Sequence, residues 1–283
     1  MPYFTVGEEN SSKINLFYED LGQGQPVVLI HGFPLSGKSW EKQTAALNDA
    51  GYRVITYDRR GFGDSDKPSS GYNYDTFAAD LNYLMTQLDL RDAVLVGFSM
   101  GTGEVTRYLG KYGSERVSKA ILIGVIPPFL LKTADNPEGV DRQVFEDIKT
   151  AIKQDRPSYF TAFFENFYNT DKLSGNLVFG ENRITEEAVQ MSKNVAFRAS
   201  GIATYACVDA WLEDFRDDTA KIDVPTLIIH GDADRILPFD STAKRLPSFI
   251  KNSRLVVIEG GPHAIIWTHA DKVNPEILKF LGE

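Results

Sequence analysis

Six short apolar runs constrain this chain most. VVLIH (27–31), RVITYD (53–58), AVLV (93–96), KAILIGVI (119–126), PTLIIH (225–230) and RLVVIEG (254–260) are rich in β-branched residues and bounded by turn residues. Most of them do not alternate between apolar and polar. A strand with one wet face alternates; a strand covered on both faces does not. These runs therefore read as strands of a parallel sheet buried between helices. The intervening segments carry helical spacing. Residues 76–89 put Phe77, Leu81, Leu84, Met85 and Leu88 on one face, and 39–50, 100–112, 240–250 and 270–282 also read as helices. Strand alternating with helix predicts a doubly wound α/β sheet with right-handed crossovers. Within the first twenty residues, YFTV and INLFYED read as an antiparallel hairpin on the sheet edge, which brings the sheet to about eight strands.

The alternation breaks between 127 and 221, where several helical patterns occur without a convincing strand. This predicts a helical cap (127–221) inserted over the C-terminal end of the sheet, with 1–126 and 222–283 forming the core. The cap helix SYFTAFFENFYN carries Phe160, Phe163, Phe164, Phe167 and Tyr168 at i, i+3, i+4, i+7 and i+8, a single apolar stripe. Packing of cap on core is the favoured use of such a stripe over lining a pocket. PEG at 137–139 falls in a cap loop.

Composition excludes several function classes. A chain of 283 residues is long enough for one large α/β domain with its own core. Its net charge is −9, with no run of Lys or Arg, so it has no electrostatic footprint for nucleic acid or an anionic membrane. The single cysteine, Cys207, cannot form an intrachain disulfide and reads as a small packed residue. MPYFTVGEEN lacks a basic stretch followed by an apolar one, and no apolar run approaches the ~20 residues that span a bilayer. The expectation is a soluble cytoplasmic protein. The histidines are scattered, no H-E-x-x-H or cysteine cluster exists, and no G-x-G-x-x-G opens an early βα unit. Neither metal nor cofactor is expected.

The chemistry centres on GFSMG, 97–101. The string alone is a weak signal, but it follows the strand AVLV and precedes the helical TGEVTRYLGKYG. A strand that turns directly into a helix through one residue strains that residue and tolerates only glycine beside it. The geometry lifts the Ser99 hydroxyl above the sheet, at a helix N-terminus that favours negative charge. A serine hydroxyl needs a base, and an imidazole needs a carboxylate to orient it. In such a fold these partners follow in the order serine, acid, histidine. Of His31, His230, His263 and His269, His263 sits in the glycine-rich loop EGGPHAIIW just past the last strand. His31 and His230 read as supporting residues, and His269 as structural. The acid comes from HGDADRILP, where Asp232 and Asp234 compete and spacing does not separate them. One can buttress the turn while the other orients His263. Two backbone N–H groups must receive a developing oxyanion. Met100, after the nucleophile, supplies one. In HGFPLSG the other falls to Phe33, because Pro34 has no N–H; the Phe33 side chain can also wall the pocket. DRRGFGDSD, 58–66, reads as a polar turn whose charges pin the sheet edge.

HGFP, DRRGFGDS, GFSMG, HGDADR and GPH in this order resemble the α/β-hydrolase superfamily across nearly the whole chain. The longer stretches are similar to the bacterial cofactor-free haloperoxidases, also called perhydrolases or non-haem chloroperoxidases: the N-terminal segment through HGFPLSGKSWE, YDTFAADLN, AVLVGFSMGTGE and PHAIIWTHADKVN. The resemblance implies a triad of Ser99, Asp234 and His263, choosing the second aspartate of HGDAD, and an oxyanion hole on Phe33 and Met100. Pro34 beside that hole is a feature shared with perhydrolase-like members. Pro34, Trp267, Phe160 and Phe164 are the candidate pocket residues. Departures from the family lie around SGNLVFGENR, 174–183, and bear on specificity. Relatives often form trimers or larger assemblies.

The implied reaction is acyl transfer through Ser99 from a small ester or carboxylic acid. Water then releases an acid, or hydrogen peroxide a peracid that oxidises halide. A lactone, γ-lactam or carbonyl-flanked C–C bond is the alternative substrate, and a non-catalytic ligand receptor the alternative class. Dehalogenase and epoxide hydrolase chemistry is disfavoured, because those relatives carry aspartate where this chain has Ser99.

Overall fold

A computed structural model of the chain describes residues 2–173 and 183–283. Eight strands form one sheet: β1 (Tyr3–Glu9), β2 (Ser12–Leu21), β3 (Pro26–Ile30), β4 (Arg53–Tyr57), β5 (Ala93–Phe98), β6 (Val117–Ile123), β7 (Thr226–Gly231) and β8 (Ser253–Ile258). Their spatial order is β1-β2-β4-β3-β5-β6-β7-β8. β1 pairs antiparallel with β2, and β2 antiparallel with β4. From β4 onward every pairing is parallel. The N-terminal hairpin thus lies on the edge.

The lack of alternation in the strands has a direct cause. Val27, Leu29, Val94, Val96, Ile121 and Ile123 join the core on one face of the sheet. Val28, Ile30, Leu95, Ala120, Leu122 and Ile228 join a second core on the other face. Successive side chains point to opposite faces, and both faces are covered.

The helices are α1 (Glu41–Asp49), α2 (Tyr74–Gln87), α3 (Met100–Tyr112), α4 (Arg142–Tyr168), α5 (Thr170–Leu173), α6 (Glu186–Phe197), α7 (Gly201–Ala210), α8 (Arg216–Thr219), α9 (Ile265–Thr268) and α10 (Ala270–Leu281). Helices α4 to α8 fall between β6 and β7, where the described residues include isolated bridges but no strand. α4 breaks at Asp155, whose backbone is non-helical. The Asp155 carboxylate accepts a hydrogen bond from the Ser158 N–H at 3.0 Å and so caps the second half, with Pro157 in its first turn. None of the described helices is long and apolar enough to cross a membrane.

One expectation fails and another holds only in part. Residues 240–250 are not a helix but two 3-10 turns, Phe239–Ser241 and Leu246–Ser248. Pro247 would fall inside such a helix, where it removes a donor and clashes with the preceding turn. DRRGFGDSD meets its expectation at one end only: the Asp66 carboxylate accepts the Asn15 N–H at 2.7 Å and Ser65 Oγ the Phe17 N–H at 2.8 Å, which pins the edge hairpin, but the start of the segment is no polar surface turn. It follows β4, the third strand in order, and Asp58, Arg59 and Arg60 are buried. Asp58 accepts the Gly37 and Asp64 N–H groups, both at 2.7 Å, while Arg60 forms a two-pronged pair with Asp80, both at 2.7 Å. Of SGNLVFGENR, all but Arg183 lies outside the described residues.

Candidate active site

The turn between β5 and α3 is as tight as a strand-to-helix connection can be. Ser99 alone separates the two elements and adopts φ 53°, ψ −122°, a region that L-residues rarely enter. Its neighbours must be glycine because backbone crowds them. A Cβ on Gly97 would lie 2.5 Å from the Gly101 carbonyl oxygen, and one on Gly101 would lie 2.2 Å from the Ile30 carbonyl oxygen. The strained turn is tied down from both sides. The Ser99 N–H donates to the Ile123 carbonyl at 2.9 Å, and the Thr102 hydroxyl donates to the Ser99 carbonyl at 2.6 Å.

His263 stands over Ser99, with its Nε2 2.8 Å from Ser99 Oγ and its Nδ1 2.7 Å from Asp234 Oδ2. A carboxylate only accepts, so Nδ1 carries the proton and Nε2 is left to accept from the serine hydroxyl. The other Asp234 oxygen accepts the Ile236 and Leu237 N–H groups, both at 2.8 Å. Burial by itself would raise the Asp234 carboxyl. The facing His263 and the hydrogen bonds from His230 and His263 outweigh it and hold the group well below the usual carboxylate range. The Phe98 and Phe167 rings pack on the His263 imidazole, each with a centroid 5.1 Å away.

The neighbouring histidines have fixed tautomers, set by backbone donors. The Val125 N–H donates to His230 Nδ1 at 3.1 Å, so His230 bears its proton on Nε2. That nitrogen faces the Leu237 carbonyl at 2.9 Å and Asp234 Oδ2 at 3.2 Å. The Arg59 N–H donates to His31 Nε2 at 3.0 Å, leaving His31 Nδ1–H for the Gly32 carbonyl at 2.9 Å. Full burial, and then the Arg59 charge, lower the His31 pKa far below its ordinary value, so it is neutral. Asp232 buttresses the turn, accepting the Gly260 N–H at 2.7 Å.

Ser99 opens on a cavity of ≈270 Å³, walled by Phe33, Ile126, Leu130, Val140, Val144, Phe145, Ile148, Tyr159, Ala162, Phe163, Asn166, Trp211, Arg235, Ile236 and Leu237. Apart from Ser99, Asn166 and Arg235, its side chains are aliphatic or aromatic. Arg235 is engaged by Asp171 at 2.8 Å. The loop after β3 lies against the serine so closely that a Cβ on Gly32 would sit 2.7 Å from Ser99 Cβ. Phe33, the next residue, packs its ring on Trp211 at 4.8 Å.

Residues 25–270 match the family model described as the alpha/beta hydrolase fold. A Synechocystis sp. protein provisionally named a non-heme chloroperoxidase is 69% identical over 99% of this chain and 100% of its own. The crystal structure of a bromoperoxidase from Bacillus anthracis superposes with a TM-score of 0.93, at 43% identity and 99% coverage of both chains. The chain belongs to the alpha/beta hydrolase fold family. A bifunctional esterase/perhydrolase from Acinetobacter calcoaceticus is a more distant relative, 32% identical over 95% of this chain and 96% of its own. The protein is thus an alpha/beta hydrolase enzyme of the non-heme haloperoxidase group.

In this hydrolase the serine, histidine and second aspartate singled out from sequence lie within hydrogen-bond reach of one another. The pocket residues differ. Phe160 and Phe164 are fully buried and do not line the cavity; Tyr159 and Phe163, one position earlier, do. A stripe two residues wide has two flanks, and spacing does not say which one meets the void. Trp267 borders a separate cleft of ≈20 Å³ with Leu35 and Met191, and carries the Lys42 ammonium on its ring. Pro34 is buried beside Phe33, joined to it by a cis peptide bond, and is absent from the cavity wall. Trp211, Leu130, Val140 and Phe145 were not anticipated. No periodic signal marks them, because the cavity wall is assembled from separate helices and loops.

Proposed function

We propose that Ser99 is the nucleophile of an acyl-transfer reaction, with His263 as general base and Asp234 as its orienting carboxylate. One observation carries this reading: an unbroken hydrogen-bonded series from Asp234 through His263 to Ser99, ending at the floor of an apolar cavity. His263 Nε2 takes the serine proton as Oγ attacks the carbonyl carbon of an ester. The oxyanion that forms is received by the Phe33 and Met100 N–H groups. His263 then returns the proton to the departing alcohol, or, where the acyl donor is a carboxylic acid, to the hydroxyl that departs as water, leaving an acyl-Ser99.

A second acceptor resolves the acyl-enzyme. Water, deprotonated by His263, gives the carboxylic acid. Hydrogen peroxide in the same place gives a peracid, which leaves and oxidises bromide or chloride to the hypohalous acid, itself reduced to the carboxylic acid. The names of the chloroperoxidase and esterase/perhydrolase relatives support this pair of outcomes. The aliphatic and aromatic wall, with its one arginine already paired, favours a neutral, apolar acyl or alkoxy group over a second carboxylate. Residues 127–221, which bring most of that wall, act as the cap.

The test is a side-by-side assay of p-nitrophenyl acetate hydrolysis and of bromination in acetate plus hydrogen peroxide. Ser99→Ala is expected to lose both by at least ~10³-fold. Peracetic acid formation that survives in Ser99→Ala overturns the mechanism.

A further inference from the structure

The DRRGFGDSD segment holds a buried arginine that the acyl-transfer steps do not use. Arg59 is fully buried, and its Nε and Nη2 both approach Glu104 Oε2 at 2.7 Å. Nη2 also donates to the His31 carbonyl at 3.0 Å, and the Arg59 backbone N–H donates to His31 Nε2 at 3.0 Å. The second Glu104 oxygen accepts the Tyr57 hydroxyl. The Arg59 guanidinium lies 5.2 Å over the Phe77 ring.

The two ends of this contact matter. His31 stands two residues before Phe33. Glu104 stands one turn after Met100, on α3. The two N–H groups proposed to receive the oxyanion therefore come from separate elements, the loop after β3 and the start of α3. Arg59 comes from a third element, the loop after β4, and bonds both. We propose that Arg59 is a positioning residue for the oxyanion hole: a guanidinium strut that fixes the separation of the Phe33 and Met100 N–H groups. This rests on the acyl-transfer reading given above.

Stability does not explain the placement. A fully buried ion pair loses its hydration, and apolar side chains of the same size usually stabilise a fold at least as well. Burial here drives the Glu104 carboxyl up and the Arg59 guanidinium down to about 10, the signature of lost hydration. What an apolar pair cannot supply is direction. The planar fork sets two hydrogen bonds at fixed angles, and lysine, a point charge on a flexible stem, does not. An oxyanion hole is sensitive to such direction: displacement of reacting groups by ~1 Å costs on the order of 10²-fold in rate.

The experiment compares wild type, Arg59→Lys and the pair Arg59→Met/Glu104→Gln, with Ser99→Ala alongside. The pair removes both charges and keeps an acceptor for Tyr57, so no lone charge is left buried. Active sites are counted by the p-nitrophenol burst, and rates are expressed per active site. The pair is expected to lose about 10- to 100-fold in kcat for p-nitrophenyl acetate with KM within about threefold. Phosphonylation of Ser99 by a p-nitrophenyl alkylphosphonate, which needs the same hole, slows in parallel. Arg59→Lys falls between pair and wild type, and decides the matter alone if the pair does not fold. Wild-type kcat per site in Arg59→Lys or in the folded pair overturns the strut. So does a rise in KM at constant kcat. If Ser99→Ala itself retains turnover, the acyl-transfer reading falls instead, whatever the arginine variants do.

Discussion

Replacing Asp234 by asparagine puts the proposed roles to their most specific test. The change is isosteric, and its effect follows from which way the amide must face. Asp234 Oδ1 accepts two backbone N–H groups, from Ile236 and Leu237, both at 2.8 Å. In Asp234→Asn the amide oxygen takes that place, because an NH₂ there would confront two backbone donors at 2.8 Å, whereas on the other side the His230 Nε2–H, 3.2 Å away, already has the Leu237 carbonyl at 2.9 Å. The NH₂ then points at His263 Nδ1. A donor facing Nδ1 makes Nδ1 the acceptor, and the ring proton moves to Nε2. Nε2 is the nitrogen 2.8 Å from Ser99 Oγ, and in that tautomer it cannot take the serine proton. Restoring the competent tautomer means turning the amide over and leaving two buried N–H groups unsatisfied, at about 1–3 kcal/mol each. The variant also lacks the negative charge that stabilises the imidazolium. The sum is on the order of 4–6 kcal/mol, or ~10³–10⁴ in kcat for p-nitrophenyl acetate. A second readout is independent of rate. The chain has four histidines, few enough to assign by ¹⁵N NMR. His31 stays protonated on Nδ1 and His230 on Nε2 in both proteins, while His263 changes from Nδ1–H to Nε2–H. A kcat within tenfold of wild type, or a His263 that keeps its proton on Nδ1, refutes the assignment.

Three further substitutions probe the packing and the buried charges. Gly101→Ala places a Cβ 2.2 Å from the Ile30 carbonyl oxygen, and backbone on both sides has to yield. We expect about 2–4 kcal/mol of destabilisation in denaturant melts and at least ~10²-fold lower kcat, as α3 is pushed from β3; a neutral substitution would contradict the packing. Phe163→Ala removes a ring that lies between Phe33 and Phe167 and forms part of the cavity wall. It should cost ~3–4 kcal/mol in stability and shift the chain-length preference of p-nitrophenyl esters toward longer acyl groups. His269 is buried against Thr268 and held down at about 4, first by burial and then by Arg183. The unfolded chain therefore binds a proton that the fold refuses between pH 6.5 and 4, and stability falls as pH drops through that window. His269→Gln should flatten this acid limb by about 1–2 kcal/mol in thermal melts at pH 7 and pH 4.5; an unchanged slope would show that other groups set it.

Much of the fold was legible because buried parallel strands advertise themselves. A run such as AVLV, followed at once by G-x-S-x-G and a helix, leaves little freedom for the chain, and the elbow at Ser99 is where it was expected. The order of serine, aspartate and histidine was legible for the same reason, since each follows the end of its own strand. The helix expected over 240–250 was not there, because Pro247 outweighs the apolar spacing around it. The choice between Asp232 and Asp234 could not be made from spacing. It depends on which carboxylate meets an imidazole 29 residues further on, and the geometry gives Asp234 to His263 and Asp232 to the Gly260 N–H.

Local rules, periodicity and turn chemistry, reach only as far as a strand or a helix, and to that distance the sequence by itself determined the protein: a doubly wound sheet, a strained serine at its centre and a histidine loop past its last strand. Tertiary structure decided what no local rule carries. It chose the flank of the aromatic stripe that meets the cavity, so that Tyr159 and Phe163 line it while Phe160 and Phe164 stay in the core. It also took DRRGFGDSD, which reads in sequence as a polar turn pinning the sheet edge, and buried Arg59 between His31 and Glu104. An arginine is inside or outside according to whether distant residues offer it acceptors, and those acceptors exist only once three separate strands have come together.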